Sequence, residues 1–443
     1  MSGQHPSSET EPTQARHEHP RDSRRRRPGL VRIFPLEAGA APLTFEIRTE
    51  AVIGRGGQSD LSLPDGQISR RHATVEAAAG GLGIRDMGSR HGTFVDGRPA
   101  GSQRIPAKFG SVVRAGDTLL LVVEDVAPYA NEPRRLKASL VGMHDDLVAG
   151  PKLLRTWAEA TRAASLSHPV LIIGESGAGK EVVARLVHGG GKERPFVALN
   201  VAAVPEALFE AELFGYAKGA FTGATAARTG AFLDASGGVL FLDEIGELQL
   251  DLQVKLLRAI DQRRIRSVGA RTELDVDTRV VAATNRDLAE RSAEGLFRLD
   301  LYHRLAGIVI RVPPLRERRD EIMMVVLSML AQEHHRSTLS ADAAEALVLA
   351  DWPGNVRELR HVVTRACLAT LHDGRTRIEK GDLPELANVE ENDCLTAEAV
   401  RATMRRVDGN ATRAAKVLGV SRATLYNAFR RFDLNPRELR GGS

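Results

Sequence analysis

A run of four apolar residues, VLII at 170–173, leads without a break into GESGAGK, and the helical stretch EVVARLVH follows at once. A strand, a glycine-rich turn and a helix in that order confine this part of the chain to an α/β layout. The GxxxxGK pattern lets backbone N–H groups curl around phosphates at a helix N-terminus while the lysine reaches the outer phosphates. Gly174, Glu175, Ser176, Gly177, Ala178, Gly179 and Lys180, with Glu181 after them, are therefore the candidate nucleotide-binding residues. Glu181 stands where a Ser or Thr hydroxyl often meets magnesium. Further along, VLFLDEIGEL (239–248) ends a strand with Asp243 and Glu244. One carboxylate there can hold Mg²⁺ through water, a role given to Asp243, and Glu244 can orient an attacking water. ATP and Mg²⁺ are the implied cofactors.

Other apolar runs, FVAL at 196–199 and VVAA at 280–283, suit a parallel sheet covered on both faces, so 141–316 reads as an α/β core. Residues 317–388 read as helix and 395–434 as a compact all-α unit. Before the core, 30–126 is a series of short strands between Gly, Asp and Pro turns, an all-β sandwich, and 127–140 carries two prolines and reads as a linker. Residues 1–29 contain Arg24–Arg27 in a Ser-, Pro- and His-rich setting with few apolar residues and read as a disordered, solvated tail. The chain of 443 residues is thus multidomain, with no internal repeat and ample length for several cores.

Composition narrows the setting. No apolar run nears the ~18 residues of a membrane span, and no secretory signal is legible at the start. Cys367 and Cys394 are the only cysteines and form no metal or disulfide pattern, which points to a reducing cytoplasm. Net charge is +4, yet residues 395–440 hold ten Lys/Arg against four Asp/Glu, a local +6, so a polyanion-binding surface belongs at the C-terminal end.

With GAFTGA added, at Gly219, Ala220, Phe221, Thr222, Gly223 and Ala224, the core resembles the AAA+ ATPases that activate sigma-54 RNA polymerase, the bacterial enhancer-binding proteins. The resemblance spans 141–388 and implies that GAFTGA tips the loop engaging sigma-54, with Phe221 and Thr222 in contact. It implies that Asn200 holds Glu244 in a switched-off orientation and that Thr284 and Asn285 sense the γ-phosphate. Arg298 and Arg304 become arginine fingers offered to the adjacent subunit, and Arg357 a lid residue at the nucleotide. A guanidinium supplied in trans stabilises charge on a transferring phosphoryl group and requires a ring. Ala178, Tyr216, Ala217 and Leu299 depart from the family's more usual residues.

The segment 395–434 places Ala414, Ala415 and Leu418, then Leu425, Phe429 and Phe432, on inward helix faces around a turn at Gly419. It resembles the Fis-like helix-turn-helix, which implies upstream enhancer DNA as partner and Arg422, Thr424, Tyr426, Asn427, Arg430 and Arg431 as contact residues. At the other end, Gly54-Arg55, LPDGQISRRHATV and IRDMGSRHGTFVDG resemble forkhead-associated domains, which recognise phosphothreonine. That resemblance implies phosphate capture by Arg55, Ser69 and Arg70 beside Arg90 and His91, with His72 bracing the loop. His91 stands where the family usually has Asn.

The expected function is an ATP-dependent activator of the sigma-54 RNA polymerase holoenzyme, bound to DNA as a dimer and working as a ring. It is controlled by a phosphothreonine protein from a Ser/Thr kinase pathway. The alternative is a phosphopeptide-gated DNA-binding adaptor or repressor without remodelling activity.

Overall fold

The computed structural model describes residues 26–36, 42–57, 59–130, 134–136, 147–189, 194–332, 337–386, 397–407 and 411–418, with the single positions 425, 429, 432 and 434. Its architecture is multidomain: a β-sandwich, a parallel α/β core, a helical lid and a C-terminal helical unit. Among the described residues, no helix is long and apolar enough to cross a membrane.

The short N-terminal strands make two facing sheets. One runs Thr44–Glu46, Gly29–Phe34, Thr118–Val123, Val112–Ala115, Thr93–Val95, Arg98–Ala100; the other runs Leu61–Ser62, Glu50–Gly54, Ala73–Ala78, Gly81–Asp86, Ile105–Lys108. Leu30, Val113, Leu120 and Val122 of the first sheet meet Ile53, Val75, Leu82 and Ile84 of the second in a closed core. Strand Thr118–Val123 is buried at every position. Side chains alternate across a strand, so its other set, Leu119, Leu121 and Val123, faces outward, where it joins Val31 and Ile33 against the helical lid.

In the core, five parallel strands lie in the order Phe196–Asn200, Val239–Asp243, Arg279–Thr284, Val170–Ile173, Ile308–Arg311. The same alternation explains their unbroken apolar character. Val170, Ile172 and Phe241 pack on helices Pro151–Ala163 and Lys180–His188, while Leu171, Leu240 and Leu242 pack on helices Glu206–Phe214, Leu250–Gln262 and Leu299–Leu305. All strands point the same way, so Gly174, Asn200, Asp243 and Thr284 emerge together at the C-terminal edge, where open α/β sheets bind ligands.

The lid is built from helices Arg319–Gln332, Ala341–Leu349 and Asn355–His372. It also contains a parallel strand pair, Thr338–Leu339 with Arg377–Ile378, within a stretch read from sequence as helix alone. Two-residue strands leave no periodic signal. Likewise Arg134–Leu136, inside the stretch read as linker, is a strand paired with Leu147–Ala149.

Helix Arg319–Gln332 begins with two buried carboxylates, Asp320 and Glu321, and among the described residues neither Asp320 Oδ2 nor Glu321 Oε1 has a hydrogen-bond partner. Burial pushes Asp320 up to about 6, against the pull of Lys152 and Arg318. Burial raises Glu321 as well, with Arg318 opposing and Asp320 adding to the rise. The folded chain therefore keeps a proton on Asp320 that the unfolded chain releases near its ordinary value of about 4, so stability falls as pH climbs from about 4 through about 6. Asp320→Asn is expected to add about 1–2 kcal/mol at about pH 8 and little at about pH 4, read as urea midpoints. Equal midpoint shifts at both pH values would contradict this.

Candidate functional site

The phosphate loop takes its shape from Gly177 (φ +74°) and Gly179 (φ +105°), both in the left-handed region that favours glycine. At Gly177 a Cβ would come within 2.3 Å of the Gly354 carbonyl oxygen, so glycine is also what admits the lid. Gly174 N–H donates to Thr284 O (3.1 Å), tying the loop to the neighbouring strand. Lys180 is buried, and its Nζ donates to Gly174 O (3.1 Å) and to Glu244 Oε1 (3.1 Å). Glu244 holds a left-handed backbone (φ +55°) that a non-glycine residue adopts only at a cost, and its second oxygen accepts the Asn285 N–H (3.3 Å). Asp243 Oδ1 accepts the Glu244 N–H (3.0 Å), and burial raises Asp243 above its ordinary value despite Lys180. One carboxylate thus joins three sequence-predicted elements: the loop lysine, the acidic pair and the Thr284–Asn285 turn.

Asn200 is in register with Asp243 on the adjacent strand, but it makes no hydrogen bond to Glu244. Its Oδ1 caps the following turn by accepting Ala202 N–H (2.9 Å). Alongside this edge, a cleft of about 500 Å³ is lined by Val201, Phe209, Glu244, Glu247, Leu252 and Asn285.

The lid closes on the loop from the other side. Arg357 donates to Ser176 Oγ (3.0 Å). Three further residues went unread. Arg316 forks onto Glu175 (2.7 and 2.9 Å), Asn355 donates to Glu175 Oε2 (3.0 Å) and Ser176 O (3.1 Å), and Arg318 donates to Ala178 O (3.2 Å). The legible signal was LRERR (315–319), a dense arginine run directly after a proline turn rather than on an exposed helix face.

Gly219–Ala224 forms its own tight loop, closed by Gly219 N–H to Ala224 O (2.8 Å) and Ala224 N–H to Phe221 O (3.0 Å). Its base is pinned by Tyr216 to Arg228 and by Ala217 to Val268. Gly219, Phe221, Thr222 and Gly223 are exposed, Ala220 is half-buried and Ala224 is buried. The Phe221 ring is 42% exposed and rests edge-on against Tyr216, centroids 5.0 Å apart. The structure does not bring Arg298 and Arg304 to the phosphate loop of their own chain. Both are exposed, Arg298 forked onto Asp300 (2.7 and 3.1 Å) and Arg304 paired with Asp261 (2.7 Å).

On the sandwich, Arg55, Arg70, Arg90 and His91 are exposed and Ser69 is half-buried. Arg55 N–H donates to Ser69 O (3.0 Å), and Arg90 N–H donates to Ser69 Oγ (3.2 Å), so three of these positions meet at one point. Gly54 is required there, because a Cβ would fall 2.1 Å from Arg70 O. His72 is buried, accepts the Ser69 N–H at Nδ1 (3.1 Å) and donates from Nε2 to Gly92 O (3.0 Å), which is the bracing its pattern suggested.

Against known proteins, residues 147–311 match the family model described as the Sigma-54 interaction domain, 51–116 the FHA domain, 316–399 the AAA+ ATPase lid domain and 397–432 the bacterial regulatory protein Fis family. The chain is 34% identical over 443 residues to the transcriptional regulatory protein GlrR of Escherichia coli strain K12, covering 93% of this chain and 97% of that one. The chain belongs to the sigma-54-dependent transcriptional regulators. This regulator is also 40% identical over 298 residues to ZraR of Salmonella typhimurium, covering 62% and 66% of the two chains. A crystal structure of NtrX from Brucella abortus in complex with ATP is 30% identical, with a TM-score of 0.49, covering 63% of this chain and 67% of that one.

The regulator is an AAA+ ATPase with an FHA domain and a Fis-type C-terminal unit. In that unit, helices Ala397–Arg406 and Ala411–Leu418 pack Val400, Met404 and Ala414 against Leu425, Phe429 and Leu434. Leu425, Phe429 and Phe432 thus reach the interior as their spacing indicated. The assigned DNA-contact residues Arg422, Thr424, Tyr426, Asn427, Arg430 and Arg431 lie outside the described residues, as does Gly419.

Proposed function

We propose that this regulator is an ATP-dependent activator of sigma-54 RNA polymerase transcription, held on upstream enhancer DNA by its C-terminal unit as a dimer. It works in the cytoplasm as a ring and is regulated by phosphothreonine through its sandwich. The observation that carries the reading is the Lys180–Glu244 contact on a module that also presents the exposed Gly219–Ala224 loop. The buried Lys180 ammonium is bonded to the Glu244 carboxylate. Lys180 would turn from Glu244 to the phosphates of a bound triphosphate, and Glu244 would then orient a water for attack on the γ-phosphate. Thr284 and Asn285 adjoin that carboxylate and are placed to respond to phosphate loss, and Arg357 registers the loop from the lid.

Half-buried Asp243 ends its strand beside Lys180 and offers a carboxylate to a cation. No group of three or more metal-ligating side chains occurs among the described residues, so the donor set fits an ion carried mainly by nucleotide phosphates and water. Asp243 would hold Mg²⁺ through water, and the ion would neutralise phosphate charge. Arg298 and Arg304, paired among the described residues with the exposed carboxylates Asp300 and Asp261, are available to a neighbouring subunit's nucleotide.

The test is in vitro transcription with sigma-54 polymerase on a template carrying the upstream site. ATP-dependent open complexes are expected, and their absence despite ATP turnover would favour the adaptor or repressor. The sandwich has its own test. Arg55→Ala is expected to weaken binding of a phosphothreonine peptide about tenfold or more, since a charge-assisted hydrogen bond contributes roughly 1.5–3 kcal/mol. Calorimetry that finds equal affinity for phosphorylated and plain peptides in the parent chain would remove phosphate recognition.

A further inference from the structure

Consecutive arginines at the start of one lid helix face opposite domains. Arg318, fully buried, donates to the phosphate-loop carbonyl of Ala178 (3.2 Å) and to Glu321 Oε2 (2.8 Å). Arg319 turns to the sandwich, donating to Gly110 O (3.0 Å) and lying 3.5 Å from Asp96 Oδ1. That carboxylate oxygen also accepts the Val112 N–H (2.7 Å), which locks the sandwich side of the contact. Both partners of the Arg319–Asp96 pair are nearly buried, so water screens them little.

The contact is not isolated. Ile322, Met323, Val326 and Leu330 of the same helix pack with Val31, Ile33, Leu119 and Leu121 of the sandwich in one apolar cluster. At the next lid helix, Arg114 of the sandwich bonds Asp342 and lies 3.2 Å from Glu345. Arg316, just ahead of the helix, forks onto Glu175 of the phosphate loop. A tightly packed helix transmits displacement rather than absorbing it, so movement of the sandwich cannot leave Arg316 and Arg318 in place.

We propose that Arg318 and Arg319 are positioning residues for ATP binding, which together make the seating of the sandwich felt at the phosphate loop and so tune nucleotide affinity. This rests on the reading of Gly174–Lys180 as the ATP site. The sandwich loops carrying Arg55, Arg70 and Arg90 remain exposed while the sheet face of Val31 and Leu121 is taken by the lid. A phosphopeptide can therefore bind without first detaching the domain.

Steady-state ATPase of the full chain tests the proposal. Arg319→Ala is expected to raise KM for ATP about fivefold or more with kcat within about twofold, and Arg319→Lys to recover most of that affinity. Arg114→Ala, remote from the phosphate loop, is expected to raise KM in the same sense. Arg318→Lys is expected to raise it too, and adding Arg319→Ala to Arg318→Lys should change little more, because the two act in series. KM unchanged in both Arg319→Ala and Arg114→Ala, or additive effects in the double variant, would overturn the proposal. If Arg319→Ala does not fold, by its thermal midpoint, Arg114→Ala and Arg319→Lys decide the matter. Lys180→Ala is assayed alongside. Retained ATP binding there would instead strike the assignment of the nucleotide site.

Discussion

Glu244→Gln is expected to bind ATP at least as tightly as the parent chain while turnover falls by about 10²–10⁴-fold, the range for losing a positioned proton acceptor. Lys180→Ala should fail one step earlier, with ATP binding itself lost. The two outcomes differ because the two side chains are bonded to each other. Lys180 Nζ is 3.1 Å from Glu244 Oε1, so the carboxylate competes with an incoming phosphate for the same ammonium. An amide at 244 keeps the shape but gives up the charge, which weakens that competition and leaves no group able to orient water as a base. Equilibrium nucleotide binding and steady-state ATPase separate the two cases. Parent-level turnover in Glu244→Gln would take the catalytic role away from this residue.

The second large effect is expected at the loop. Phe221→Ala and Thr222→Ala should keep ATPase within about twofold of the parent and reduce open-complex formation on sigma-54 polymerase more than about tenfold. Phe221 is 42% exposed and contributes little to any core, so its truncation leaves the nucleotide edge untouched. What it removes is the exposed part of a large apolar ring on a glycine-flanked turn, the kind of tip that partners recognise. Tyr216→Ala, which deletes the edge-on support of that ring, should give a milder defect of the same kind. Promoter opening that survives both loop substitutions would mean that another surface does the work.

Much of this was legible because the chemistry is local. VLII followed by GESGAGK states a strand, a phosphate turn and a helix within a few residues, and the structure places the strand at Val170–Ile173 and the helix at Lys180–His188. His72 was readable as a brace for the same reason, its partners Ser69 and Gly92 both lying in the quoted motifs. What stayed hidden depends on contacts between distant segments. Nothing near Asn355 in sequence announces Glu175, although their side chains are bonded at 3.0 Å. Asn200 was placed beside Asp243 by strand register, yet rotamer choice gave its oxygen to Ala202 N–H, and no pattern of residue types encodes that. TLLLVV at 118–123 was the clearest missed sign. A sandwich strand with one wet face alternates, and an unbroken apolar run says that both faces are covered.

That doubly covered strand bears on how truncated versions of the protein behave. Excising the sandwich to make a shorter, simpler ATPase would bare Ile322, Met323, Val326 and Leu347 on the lid, and the freed sandwich would carry the matching greasy face of Val31, Ile33, Leu119 and Leu121. Each fragment would be sticky, and poor solubility or self-association would masquerade as a regulatory phenotype. A fragment study of this regulator needs polar replacements on both newly opened faces before loss of activity can be blamed on loss of a signal.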